Sequence, residues 1–173
     1  MLHVYTGLGK GKTTAALGLA LRAIGWRKKV LFVQLFKGRE TGEKIMLEYL
    51  ASQGFPISYI QAGTRHFISL EKPKPEEIEI VRRGIKQALI KIKTFRPDIV
   101  VFDEINVALM YNVIDMRCAF ELIDECRKMN AEIVFTGRYA PMEIIDVADL
   151  VTEMVKVKHY FDKGIRARRG IEY

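Results

Sequence analysis

Cysteine and histidine are scarce in this chain, and that scarcity removes several chemistries at once. Two cysteines and three histidines occur among 173 residues. His3, His66 and His159 fall in different predicted elements with no ligand spacing, and no Cys/His pairing of the zinc type accompanies them. No transition metal is therefore expected on protein ligands. Cys118 and Cys126 stand eight residues apart on one predicted helix, about 12 Å along its axis. A disulfide would strain that helix, so both read as small core hydrophobes in a reducing compartment. No apolar run has the length needed to cross a bilayer, and no basic-then-apolar leader precedes Leu2, so a soluble, cytoplasmic protein with no membrane attachment is expected. Internal repeats, low-complexity stretches and long linkers are missing too. At this length the chain is expected to form one domain with an ordinary core, residues 1–173. No nucleophile–base pair can be picked out.

Acidic residues are the minority charge, 21 against 28 Lys and Arg, for a net +7. Such a balance suits an anionic substrate, nucleic acid or an acidic protein partner. Much of the excess lies near the carboxyl end, where Lys156, Lys158, Lys163, Arg166, Arg168 and Arg169 face one acid, Asp162. Either a solvated face or a binding surface accounts for that run.

What is present is a regular alternation of β-branched apolar runs with longer helical patterns, the signature of an α/β protein with a mostly parallel sheet covered on both faces. About six strands are predicted: Leu2–Tyr5, Lys29–Leu35, Ile57–Ile60, Asp98–Asp103, Ala131–Thr136 and Val151–Lys156. Helices are predicted from Lys12 to Ile24 with Gly25 closing the first, over Glu43–Ser52, from Pro75, over Met116–Met129 with Asp115 as cap, and briefly after Pro141. Open parallel sheets bind ligands beyond the carboxyl ends of their strands. The loops after Tyr5, Leu35, Ile60, Asp103 and Thr136 are therefore expected to share one rim.

The first of those loops carries the strongest signal. Between strand and helix stands Thr6-Gly7-Leu8-Gly9-Lys10-Gly11-Lys12-Thr13-Thr14. Small residues let successive backbone N–H groups converge on phosphate oxygens, and the following helix adds its positive end. Lys12 supplies a mobile charge and Thr13 the hydroxyl that holds Mg²⁺ against phosphates. The usual pattern has glycine where this chain has Thr6; Gly7 and Gly9 supply the turn. Gly7, Leu8, Gly9, Lys10, Gly11, Lys12, Thr13 and Thr14 are thus the candidate nucleotide-binding residues.

Ile99-Val100-Val101-Phe102 ends in two acids, Asp103 and Glu104. Carboxylates at that rim, opposite a phosphate loop, complete a Mg²⁺ shell together with Thr13. Strand alternation lets only one acid face the site directly; Glu104 is favoured, with Asp103 in support. Arg138, in Thr136-Gly137-Arg138, is placed to meet phosphate, ribose or an acid, or else to form a surface ion pair. Lys37, after the second strand, stands near the same rim. His66 and Phe67 follow the third strand, in a loop where an aromatic either stacks on a planar ligand or joins the core.

These residues together resemble one family. Tyr5 to Ala16, Val33-Gln34-Leu35-Phe36-Lys37-Gly38, Phe102-Asp103-Glu104-Ile105-Asn106, Thr136-Gly137-Arg138, Ala148 to Met154, Val157-Lys158-His159, Gly164-Ile165-Arg166-Ala167 and Gly170-Ile171-Glu172-Tyr173 are similar to the P-loop type of ATP:corrinoid adenosyltransferase. The resemblance runs nearly full length, and its closing segments are more specific than the phosphate loop. It implies a P-loop NTPase (RecA-like) fold and an enzyme for which ATP is co-substrate, Mg²⁺ the metal and a corrinoid the substrate. The reaction implied is attack of Co(I) on the 5′ carbon of ATP with triphosphate leaving, in adenosylcobalamin synthesis or salvage. Lys12, Thr13 and Glu104 then become the catalytic set, with His66 and Phe67 facing the corrinoid. Family members often carry an amino-terminal extension over the site and place Phe and Trp in the loop after the third strand. Here the first strand begins at Leu2, and that loop reads Arg65-His66-Phe67. The resemblance further implies a homodimer and a reduced flavodoxin-like electron donor. The alternative is a RecA-like ATP-hydrolysing module whose basic carboxyl-terminal segment contacts nucleic acid, a role for which the chain lacks a stacking stripe. A nucleotide-binding regulator without turnover is the third class.

Overall fold

The computed structural model describes residues 1–64 and 73–173. Its centre is a six-stranded sheet in the order β3-β2-β4-β5-β1-β6, with every pairing parallel. The strands are β1 (Leu2–Thr6), β2 (Val30–Leu35), β3 (Ile57–Ala62), β4 (Ile99–Asp103), β5 (Glu132–Thr136) and β6 (Leu150–Glu153). Among the described residues six α-helices connect them: α1 (Lys12–Gly25), α2 (Gly42–Ser52), α3 (Pro75–Phe95), α4 (Ile105–Met110), α5 (Met116–Arg127) and α6 (Met142–Asp146). A 3₁₀ turn follows over Tyr160–Lys163.

Helices cover both faces, and the two halves of the core follow strand parity. Phe32, Val101 and Val134 face α1 and α2, against Ala16, Ala20 and Leu47. Their neighbours Leu31, Val33, Val100, Phe102, Ile133 and Phe135 face the layer of α3 to α6, against Val81, Ile85, Leu122 and Ile123. The central strands carry continuous apolar runs, Val30–Val33, Ile99–Phe102 and Ile133–Phe135, because both their faces are covered. Phe102 and Phe135 meet edge to face at 5.6 Å.

Boundaries shift where local chemistry differs from the pattern. Gly25 remains inside α1; the left-handed residue beyond the helix is Arg27, at φ 58. β6 ends three residues earlier than the apolar run suggests, and Met154 turns its N–H to Thr6 and its carbonyl to Gly9. α5 ends at Arg127, the chain turning through a left-handed Asn130. The sequence pattern contains no separate α4. Its residues Ile105 to Leu109 are all buried, so the segment has no polar face and reads as a continuation of the preceding strand. Asp115 caps α5 as expected, accepting from the Cys118 N–H at 2.8 Å, and both cysteines lie on that helix with free thiols. No helix of the described residues is long and apolar enough to cross a membrane.

Candidate active site

Strand register assembles the site. Gln34 of β2 pairs beside Asp103 of β4, and Thr136 of β5 pairs beside Tyr5 of β1. By parity Gln34, Asp103 and Thr136 lie on the α1 face, one step beyond the apolar row Phe32–Val101–Val134. The sheet therefore ends, under the amino terminus of α1, in a buried polar row. Asp103 is 0% exposed, yet each oxygen is satisfied. Oδ1 accepts from the hydroxyls of Thr13 at 2.8 Å and Thr136 at 2.6 Å; Oδ2 accepts from Gln34 at 3.2 Å and Lys37 at 3.1 Å. Burial pushes this carboxyl up, but the Lys37 charge and the Thr136, Thr13 and Gln34 hydrogen bonds outweigh it and hold the carboxyl below the ordinary aspartate value. Tyr59 fixes Gln34 by donating to its Oε1 at 2.7 Å, and the Gln34 amide also donates to Glu43 at 2.9 Å.

Glu104 stands differently. It accepts the left-handed φ of 67 that ends β4 and starts α4, and its N–H donates to Thr136 Oγ1 at 3.0 Å. The turn at φ 67, and not strand alternation, sets the two acids apart. Glu104 lines the cleft above, and Asp103 lies beneath its floor. Burial, then the adjacent Asp103 charge, raises the Glu104 pKa.

The phosphate loop bends through Gly7 at φ 95 and Gly11 at φ 124. Lys12 is buried and folds back to donate to the Gly7 and Gly9 carbonyls, each at 2.7 Å. Burial lowers its pKa, with Glu104 opposing. Gly7 and Gly9 also serve the sheet, since a Cβ on either would stand 2.6 Å from the Met154 carbonyl oxygen. Thr6, in the place of the usual glycine, accepts the Ala140 N–H on its hydroxyl at 3.2 Å and so ties the Arg138 loop to β1. Lys37 is held by backbone contact: Gly38 and Gly63 cross so closely that a Cβ on Gly38 would lie 2.2 Å from the Gly63 oxygen.

A cleft of about 600 Å³ opens over this floor. Leu8 to Thr14, Lys37, Glu104 and Arg138 line it; Gly7 lies behind, against Met154. His66 and Phe67 lie outside the described residues. Residues given no ligand role by the sequence also line it: Glu43 and Met46 of α2, His159, and Gly170 to Tyr173 at the carboxyl end. The tail is fastened at both sides of the cleft. Lys10 donates to the Ile171 carbonyl at 3.0 Å, and the Arg39 guanidinium stacks 4.0 Å from the Tyr173 ring. The sequence model of the family described as ATP:corrinoid adenosyltransferase BtuR/CobO/CobP matches residues 1–173.

The chain belongs to that family.

Relatives agree along the whole chain. A corrinoid adenosyltransferase of Escherichia coli K12 is 33% identical over 174 residues, all of this chain and 85% of the relative. One from Sinorhizobium is 33% identical over all of this chain and 80% of its own length. The Salmonella typhimurium corrinoid adenosyltransferase CobA is likewise 33% identical, over all of this chain and 85% of its own. The cleft presents backbone amides and Lys12, groups that could meet phosphates, and oxygens that could hold a hard cation. Thr13 and Glu104 offer those oxygens, with Asp103 hydrogen-bonded behind Thr13. Among the described residues no three His, Cys, Asp or Glu converge into a protein-built cage.

Gln34 left a signal in the sequence as the one polar residue in an otherwise apolar strand, Val30–Leu35. Glu43 and Tyr59 left none, because what makes them part of the site is contact across elements.

Proposed function

We propose that this member of the corrinoid adenosyltransferase family binds ATP with its triphosphate on the Gly7–Thr14 loop and passes the 5′-deoxyadenosyl group to a Co(I) corrinoid. Cobalt supplies the electron pair for the new Co–C bond, the C5′–O bond breaks, and triphosphate leaves with its electrons. The full-length family match carries this reading, and the buried row beneath the loop supports it. A Co(I) nucleophile needs no base to activate it. The enzyme's task is then electrostatic: fixed amides, Lys12, Lys10 and Arg138 face the charge that grows on the leaving group. A Mg²⁺ ion held by Thr13 and Glu104 would neutralise part of that charge. Asp103 keeps the Thr13 hydroxyl oriented, and Lys37 keeps Asp103 ionised.

His66 and Phe67 are assigned to the corrinoid side. A reduced flavodoxin-like donor, a cytoplasmic location and a two-fold dimer complete the reading. The exposed basic segment 156–169 suits an acidic donor, and the exposed apolar residues Leu150, Val151, Val155 and Val157 along the β6 edge suit a second copy. A nucleic-acid-dependent ATPase has no support in the family assignment.

Anaerobic incubation with ATP, Mg²⁺ and chemically reduced cobalamin is expected to give a light-sensitive alkylcobalamin spectrum and intact triphosphate. Release of ADP and orthophosphate with no spectral change would overturn the proposal. Phe67→Ala should lose corrinoid conversion while ATP binding persists; unchanged conversion would remove Phe67 from the site.

A further inference from the structure

The closing segment Gly170-Ile171-Glu172-Tyr173 plays no part in the chemistry just described, yet it is built tightly. The Glu172 carboxylate accepts from the Tyr160 hydroxyl, from the Arg168 backbone N–H at 2.7 Å, and from the Arg168 guanidinium at 3.4 and 3.5 Å. Ile171 and Glu172 also donate their N–H groups to the Arg168 carbonyl, and Gly170 donates to Tyr173. The Tyr160 hydrogen bond, ahead of those from Arg168, holds the Glu172 carboxyl down at about 2, so it is an anion at any working pH. What this anchored anion reaches, at 3.5 Å, is the ammonium of Lys10 at the tip of the phosphate loop. The Ile171 carbonyl takes a second Lys10 N–H at 3.0 Å, leaving the third for a ligand.

An anchored carboxylate beside a phosphate-loop lysine has two possible effects. It either competes with an incoming phosphate or presets the lysine for it, and the local charge decides between them. Lys10 and Arg168 outnumber Glu172, so the cluster still attracts an anion. Lysine's flexible stem otherwise loses rotamer freedom each time it engages a ligand; a lysine already ordered at the rim loses little.

We propose that Glu172 is a positioning residue of the triphosphate site, holding Lys10 where the leaving group gathers charge. This rests on the adenosyl-transfer reading. It extends the site to a segment that lines the cleft but whose role the reaction does not explain. The Arg39 guanidinium, 4.0 Å from the Tyr173 ring, holds the far end of the same segment.

The test is a double-mutant cycle on binding of inorganic tripolyphosphate with Mg²⁺, measured by calorimetry on wild type, Glu172→Gln, Lys10→Met and the double variant. Each single change should weaken binding about fivefold to tenfold, and the double should be no weaker than the poorer single, because both remove one interaction. In turnover, Glu172→Gln should lower kcat more than it raises the KM for ATP, since the charge that Lys10 meets develops in the transition state. A merely structural tail would give losses that multiply and a matching fall in Tm. Lys10→Met, at an exposed site, carries the test should Glu172→Gln loosen the tail. Glu172→Gln binding tripolyphosphate as tightly as wild type, or more tightly, overturns the proposal and leaves the functional reading intact. Wild type that binds none of it overturns both.

Discussion

At the scale of single residues, two adjacent acids behave oppositely because their surroundings differ. Asp103 has a partner for every lone pair it uses, and Lys37 supplies the balancing charge. Its folded pKa is depressed, so its contribution to stability is complete above the ordinary aspartate value and is lost as pH falls through the lowered one. Asp103→Asn leaves the half-buried Lys37 without its closest anion and should cost roughly 3 kcal/mol, read from urea unfolding. The variant should also lose the part of wild type's acid sensitivity that Asp103 supplies. Glu104 has a raised pKa and holds a proton to higher pH than an ordinary glutamate. The proposed cation binding would use the ionised carboxylate, so kcat/KM for ATP should fall as pH drops through that raised value. Glu104→Gln should show a lower activity without this acidic limb, measured as a pH profile with a chemical reductant. Lys12→Ala should reduce adenosyl transfer roughly a hundredfold or more.

At the scale of elements, the phosphate loop and the end of β6 form one structure. Gly9 donates to Met154 at 2.6 Å, and a Cβ on Gly9 would stand 2.6 to 2.9 Å from the Met154 and Val155 backbone. Gly9→Ala should therefore push the chain after β6 away from the loop. A cost of about 1 to 3 kcal/mol is expected in thermal or denaturant unfolding, with weaker nucleotide binding by titration. The glycine-rich loop was legible from Gly-Lys-Thr-Thr between a strand and a helix; the second duty of its glycines was not, because it depends on β6 lying beside β1. α4 was illegible for a different reason. A six-residue helix whose first five residues are all buried carries no period, and only the left-handed Glu104 separates it from β4.

For the whole molecule, charge and topology divide the labour. The cleft opens at the carboxyl ends of the strands, while the basic segment 156–169 runs from the β6 edge back toward it. If the proposed acidic electron donor docks there, its docking should weaken with salt. Turnover supported by a reduced flavodoxin-like protein is expected to fall steeply between low and moderate ionic strength, whereas turnover with a chemical reductant stays nearly level. Equal salt dependence for the two would separate the basic segment from donor docking.

The alternation of apolar runs and helical patterns fixed the parallel sheet, and the order Gly-Lys-Thr-Thr after a strand fixed the phosphate loop, because both rest on contacts between near neighbours in the chain. Strand order and register were decided in three dimensions. Placing β5 between β1 and β4 brings Thr136 to Asp103, and pairing β2 with β4 brings Gln34 and Lys37 to the same carboxylate. Those residues are 33 to 69 positions from Asp103 in the chain, and no local period encodes such distances. Burial of both sheet faces selects the one arrangement that brings them together.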